Sequence, residues 1–491
     1  MTRWFAGARW LAALVAVVPA PAWGGEGKTR LEVREADAHE IDPGIDEDSL
    51  VVSPDGMRVA YIAKRENGVV AIVDGKPGTI YANLAPIAFS PDGKRYAYKA
   101  TRHDHKWTFV VDGKEGPLHG NTRAATHVFS PDGSRTAYVA DVPDLSAPTR
   151  SQYALAVDGV VGKPYQQVEE QPWFSRDGKR LAFAAGAGEG PTFRMFVVVD
   201  GVDGPGYRQI GSFMHDVRSK AFTWSPDAKH WGYSAVKAEG GELVVIDGVA
   251  GTTYEGVRAP AFSPDGTRWA HPALRKGKWV MVANGQVTGK EYDEIGEVYF
   301  GPGVGRLAFA ARRGKAWVVV VDGVEGKEYG RVGTYSIRFS PDGKRVVYWA
   351  TSSPRPPPIF FVLDGVEQGA YENVGANRSF AWSSFSFGAD GKQTVFAGQR
   401  NGKWVIVTNG VEGTPYEMLP IFTPAIGPQG DVAYAAQKGD SLVLVGNGVE
   451  TPPYKALLST APVLFHGPRS FHALIRDGKR IFRAEVDIRD E

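Results

Sequence analysis

The closest pair of histidines in the sequence is His103 and His105, on either side of Asp104. Two imidazoles two residues apart on a strand share a face and could take a divalent cation. Here they fall in a predicted loop without a clear third ligand, so a solvated turn is the expected role. Asp42, Asp46 and Asp48 crowd the region before the first repeat. They lack the Asp-x-Asp-x-Asp-Gly spacing of a calcium loop and read as an acidic loop. Neither a His-Glu-x-x-His pair, a Gly-x-Ser-x-Gly elbow nor a Walker-type loop occurs. The chain has no cysteine, which excludes disulfides, thiolate nucleophiles and Cys-ligated zinc. No catalytic residue, metal or cofactor is expected.

Cations at one kind of position are the stronger signal. Lys64, Arg65, Arg102, Lys106, Arg275, Arg312, Arg313, Arg400 and Lys403 recur in connections between successive apolar runs. A rim carrying them would attract an anionic partner, and the planar guanidinium suits a carboxylate or phosphate. Acids such as Glu169, Glu170, Asp293 and Glu294 lie close by in sequence. The net charge is only +1, and about −1 once Arg3 and Arg9 leave with a leader. A nucleic-acid partner is therefore not expected.

The elements that position these residues are written as a repeat. Phe89-Ser90-Pro91-Asp92-Gly93 recurs at Phe129, Phe262 and Phe339, with looser copies from Val52, Phe174, Trp224, Phe300, Phe387 and Ile426, and an eroded one near Phe465. The copies are 37 to 50 residues apart. A second motif follows each: Val-Asp-Gly at Asp74, Asp112, Asp158, Asp200 and Asp322, Ile-Asp-Gly at Asp247, Leu-Asp-Gly at Asp364, and Asn-Gly at Asn284, Asn409 and Asn447. A tyrosine comes seven residues later in eight of ten copies, as in Tyr81, Tyr165 and Tyr254; Tyr292 is one residue late, and His119 replaces it once.

Each copy reads as four short strands. The first ends at the Phe of the Ser-Pro-Asp-Gly turn, the second is typified by residues 345–350, the third by 317–321, and the fourth starts around Glu328-Tyr329. Pro presets φ in the first turn, and Asp-Gly or Asn-Gly favours a tight hairpin in the second. The third strand is almost wholly apolar, as a strand covered on both faces would be. The recurring Tyr and the third-strand Trp107, Trp279, Trp317 and Trp404 are expected to pack between sheets, with His119 and His271 as variants.

Ser-Pro-Asp-Gly followed by Arg-x-Ala-Tyr, as in Ser130 to Tyr138, resembles the repeat of TolB-like β-propellers, a WD-repeat-like family. The resemblance covers roughly residues 48–487. It implies an all-β propeller of about eleven four-stranded blades, either two joined propellers or one large ring. The long connections Arg208–Thr223 and Glu372–Ser386 are the places where a crossover between two rings would sit. In the family the Ser-Pro-Asp-Gly and Val-Asp-Gly turns share one rim, which puts the basic loops on the other. No α/β pattern precedes the first repeat, unlike TolB.

At the N-terminus, residues 1–24 read as a signal peptide. Arg3 and Arg9 supply the charge, residues 10–18 the short apolar run, and Ala20-Pro21-Ala22 the cleavage region. A periplasmic or secreted protein without a membrane span after cleavage follows. Within 25–47, residues 30–34 alternate polar and apolar, and this segment is expected to complete the last blade, removing an exposed edge; residues 48–491 hold the repeats. The sequence leans away from an enzyme and towards a binding module or scaffold for a protein, peptide or glycan. A propeller-type hydrolase, lyase or lactonase with a site in the channel is the alternative it leaves open.

Overall fold

The computed structural model describes residues 29–120, 127–143, 151–169, 171–211, 221–303, 305–352, 358–374, 385–420, 424–458 and 462–490. Residues 1–24, read above as a signal peptide, Glu170 and most of the Pro-rich stretch 352–358 lie outside them. The described residues form strands joined by tight turns, with one short 3-10 turn at Gly190–Thr192. No helix among them is long and apolar enough to cross a membrane.

The strands make eleven antiparallel sheets, and the fold is a β-propeller of eleven four-stranded blades. Blades 1 to 10 span residues 45–81, 83–115, 127–165, 167–203, 209–250, 256–292, 294–325, 331–371, 385–412 and 425–450. Blade 11 combines residues 456–490 with strand Thr29–Glu40. Where a sheet counts five strands, strand one is split into two short pieces that both pair with strand two, as Asn83–Leu84 and Ala88–Phe89 do with Tyr96–Thr101.

Blade 3 shows why the motif folds this way. The Ser130 hydroxyl donates to Asp132 Oδ1 and accepts from the Arg135 N–H at 2.9 Å. Asp132 also accepts from the Ser134 N–H. These donors hold its carboxyl below the usual range, the Ser130 hydroxyl contributing most. In the second turn Asp158 and Gly159 take φ of 51° and 82°, the left-handed pair a two-residue hairpin requires. Asp158 then joins the two turns: Oδ1 accepts from the Thr136 N–H at 2.8 Å and Oδ2 from Arg135 Nε at 3.1 Å. Both turns of a blade therefore lie on one rim.

Arg135 also reaches the following blade. Its Nη1 donates to the Lys179 carbonyl at 3.1 Å, and its guanidinium lies 5.5 Å from the Phe174 ring centroid. Arg95, Arg180 and Arg345 repeat both bonds, to Asp112 and Ser134, Asp200 and Lys229, and Asp364 and Lys392 respectively. The carboxylate of Asp132 occupies the space a Cβ on Gly178 would need. This turn glycine thus serves both a positive φ and a close approach between blades.

The core lies between the sheets. Strands two and three are buried almost throughout, as in Leu181–Ala187 and Glu242–Ile246. The recurring tyrosine closes each blade and stacks edge-on against the aromatic of strand two in the next: Tyr81 on Tyr98, Tyr165 on Phe183, Tyr207 on Tyr233, Tyr292 on Phe309, Tyr371 on Phe396 and Tyr416 on Tyr434. Trp317 and Trp404 bridge the tyrosine of their own blade, Tyr329 and Tyr416. In blade 2, His119 stacks on Trp107 at 4.4 Å.

Three details differ from the sequence reading. Strand four begins directly after the Asp-Gly turn, at Val324 in blade 7, and Tyr329 ends that passage instead of starting it; the tight turn returns the chain at once. Asp46 and Asp48 sit on strand one of blade 1, Ile45–Val52, not in a loop. The two long connections lie partly outside the described residues, and the blades on either side of them do not belong to separate rings. Blades 4 and 5 meet through Tyr207 and Tyr233, and blades 8 and 9 through Tyr371 and Phe396, like other consecutive blades. The reading as two joined propellers fails at both places.

Two compact units divide the chain. One holds blades 9, 10 and 11 with most of blades 1 and 8; the other holds blades 2 to 7. In the first unit, Thr29–Glu40 pairs antiparallel with Arg480–Asp490, and Leu31 enters a cluster with Leu444, Phe471 and Ile488. Blade 11 meets blade 1 there: Arg476 pairs with both Glu47 oxygens at 2.6 and 2.8 Å, and His472 Nε2 donates to the Asp55 carbonyl at 2.9 Å.

Candidate functional site

The cations singled out by sequence lie where strand two turns into strand three. Lys64 and Arg65 end strand Val59–Arg65. Arg102 and Lys106 bracket the hairpin of blade 2, joined by a backbone hydrogen bond of 2.8 Å, with His103 and His105 exposed on its turn. Arg275 ends Trp269–Arg275, Arg313 ends Leu307–Arg313 with Arg312 before it, and Arg400 faces Lys403 across the hairpin of blade 9. Arg275, Arg312 and Arg313 lie on adjacent blades of one unit, and Arg400 and Lys403 share a hairpin in the other.

These arginines stand against acids. Arg275 pairs with Glu291 at 3.3 Å, Arg312 with Glu294 at 3.1 Å, Arg313 with Glu325 at 3.2 Å, and Arg400 with Glu412 at 2.6 Å. A second set of carboxylates caps the hairpins. Glu255 accepts from the Lys276 and Gly277 N–H groups at 2.7 and 3.1 Å. Asp293 accepts from the Gly314 N–H at 2.6 Å, and Glu372 from Asn401 and Gly402. Each capping acid directly follows the closing tyrosine of the preceding blade.

A recurring three-residue clasp emerges. Glu325 accepts from the Tyr292 hydroxyl of the preceding blade at 2.9 Å and from Arg313 of its own. Glu412 does so with Tyr371 and Arg400, and Glu450 with Tyr416 and Lys438. Tyr81 donates to Glu115, and Tyr165 to Asp203, at 2.8 and 2.7 Å. Burial, reinforced by the neighbouring carboxylate, pushes the Tyr81 and Tyr371 hydroxyls up to about 12. The same hydrogen bond is the largest cause holding the Glu325 carboxyl low.

The sequence reading did not single out these acceptor acids. Their signal is a column three residues after the Asp or Asn of the hairpin: Glu115, Asp203, Glu325, Glu412 and Glu450. Among the described residues no cluster of three or more His, Asp or Glu could hold a metal ion.

No family model matches the sequence, and no curated protein does. Solved structures match it at low identity and low TM-score. One described as the eukaryotic initiation factor is 13% identical over 65% of this chain and 86% of its own, with a TM-score of 0.37. A TolB structure from Agrobacterium tumefaciens is 13% identical over 52% and 85%, TM-score 0.22. The Swd1 propeller domain of Myceliophteria thermophila is 10% identical over 58% and 100%, TM-score 0.22.

Proposed function

We propose that the chain is a non-catalytic binding module or scaffold that holds an anionic protein, peptide or glycan on the hairpins between strands two and three, in the cell envelope or outside the cell. The observation that carries this reading is the placement of Arg275, Arg312 and Arg313 on adjacent blades. Each makes a solvent-accessible ion pair, with 47%, 34% and 53% of its side chain exposed; Arg312 also donates to the Gly314 carbonyl, and Arg313 also pairs with Glu328. Such pairs contribute about 1 kcal/mol or less, so an incoming carboxylate can replace the internal one at little cost. By contrast, Arg135 and its equivalents on the opposite rim are committed to joining blades. The leader-like residues 1–24 support export.

The test is retention of the protein on immobilised poly-glutamate across a salt gradient. Wild type should be retained at low salt and released as screening rises. Replacing Arg275, Arg312, Arg313 and Arg400 by Glu should weaken retention about tenfold or more. Equal retention would remove this rim as the binding surface.

A further inference from the structure

Clasps between blades follow one rule at Glu325, Glu412 and Glu450: a tyrosine hydroxyl from the preceding blade and a cation ending strand two bind one carboxylate on strand four. The joint between blades 5 and 6 breaks the rule in one residue. Tyr254 and Arg275 stand where Tyr292 and Arg313, or Tyr371 and Arg400, stand elsewhere. The strand-four carboxylate is missing at that register, and Arg275 pairs instead with the exposed Glu291 at 3.3 Å. Val287 faces Val282 across the sheet, in the register where Glu325 faces Val320 and Glu412 faces Val407.

The consequences are visible at this joint. Tyr254 is half-buried, whereas Tyr292, Tyr371 and Tyr416 are 2–4% exposed. Its hydroxyl has no hydrogen-bond partner among the described residues. A groove of about 780 Å³ opens there, lined by Thr252, Thr253, Tyr254, Glu255, Arg275 and Val287. Glu255 is occupied by the Lys276 and Gly277 N–H groups. Two other joints also lack the acid. Between blades 2 and 3, Val161 replaces it, but His119 replaces the tyrosine and its ring nitrogen lies 3.3 Å from the Tyr138 hydroxyl. Between blades 4 and 5, Ala250 replaces it and Tyr207 is 7% exposed. At Tyr254 the donors of a clasp meet an open groove.

We infer that the groove between blades 5 and 6 is a carboxylate-binding site, in which a ligand's carboxylate completes the clasp by accepting from the Tyr254 hydroxyl and the Arg275 guanidinium. A hydroxyl plus a guanidinium is a charge-assisted donor pair suited to one carboxylate. The ligand supplies it as a glutamate side chain of a peptide or as a uronic acid. This deepens the proposed function, on which it rests, by naming one seat and its chemistry.

The experiment titrates the protein with acetyl-Gly-Glu-Gly-amide and, separately, with galacturonate, using acetyl-Gly-Gln-Gly-amide and galactose as neutral controls. One acid should bind saturably and its control should not, and the arm that binds names the source. Tyr254→Phe and Arg275→Gln should each weaken binding about tenfold. Val287→Glu should abolish it by supplying the internal carboxylate, while raising the melting temperature by about 2 °C. Binding of neither acid, or binding indifferent to both Tyr254→Phe and Val287→Glu, would overturn the assignment. Poly-glutamate retention of the wild type separates the two readings: retention by a wild type that binds neither small acid sinks the seat alone, and retention absent in wild type sinks the rim.

Discussion

His271 shows how one residue can carry a pH dependence. It takes the strand-two position that Tyr98, Tyr233 and Phe309 fill in other blades, stacks on Trp269 at 5.8 Å and meets Tyr254 edge-on at 6.2 Å. Its Nδ1 donates to the Pro272 carbonyl at 3.1 Å. Burial pushes the imidazole down to about 4, from an ordinary value of 6.5. The unfolded chain then binds the proton more readily than the folded one between those two values. Stability is full above pH 6.5 and falls as the pH drops towards 4, by at most about 3 kcal/mol. Urea midpoints at pH 7 and 4.5 should differ less for His271→Phe than for wild type; an unchanged difference would assign the acid sensitivity to other groups.

At the scale of the element, the Asp-Gly hairpin separates what a side chain does by charge from what it does by shape. Asp158 accepts a backbone N–H, pairs with Arg135 and holds a φ of 51°. Asn keeps the first and third of these, and the chain itself uses Asn at 284, 409 and 447 with the same backbone bond. Asp158→Asn should therefore cost about 1 kcal/mol or less, the value of an exposed pair. Asp158→Ala should cost about 2 kcal/mol, because the Thr136 N–H loses its acceptor and a Cβ without a polar group must hold the left-handed region. Chemical denaturation of both variants checks the ordering; equal costs would mean the ion pair alone matters.

The same hairpin shows what could be read from sequence. Turn motifs repeat because each copy needs the same φ values and local acceptors, so Ser130, Asp132, Asp158 and Gly159 announce themselves and the blade follows. The apolar third strand and the closing tyrosine were legible for the same reason. The start of strand four was not, because Val324-Glu325 lacks a distinctive pattern and only pairing across the turn defines it. The arginines of the rim were visible as cations, but their acids come from strand four or from after the tyrosine, and only the fold brings them together. Tyr254 and Val287 were harder still: their meaning is a departure from a clasp that first had to be seen in Tyr292, Arg313 and Glu325.

For the whole molecule, stability comes from joints between neighbours, as in other repeat architectures. Strand Thr29–Glu40 is the exception in sequence, since it joins residues from opposite ends of the chain in one sheet. Deleting residues 29–40 would bare the long edge Arg480–Asp490 and uncover Ile488 and Phe471, which pack with Leu31. Unpaired edges of this kind invite association. The truncated protein should melt several degrees lower (about 4 °C for 1–2 kcal/mol) and show larger species in size-exclusion chromatography. A monomeric truncation with unchanged melting would show that blade 11 closes without this strand.

The joints themselves have a direction. Arg135, Asp132 and Tyr165 all reach forward, to Lys179, Gly178 and Asp203 of the following blade. A unit copied by tandem gene duplication thus arrives carrying a forward half for its successor and a receiving half for its predecessor. An added repeat needs no new mating chemistry, and a repeat without the acceptor, as at Val287, leaves a gap in an otherwise finished wall.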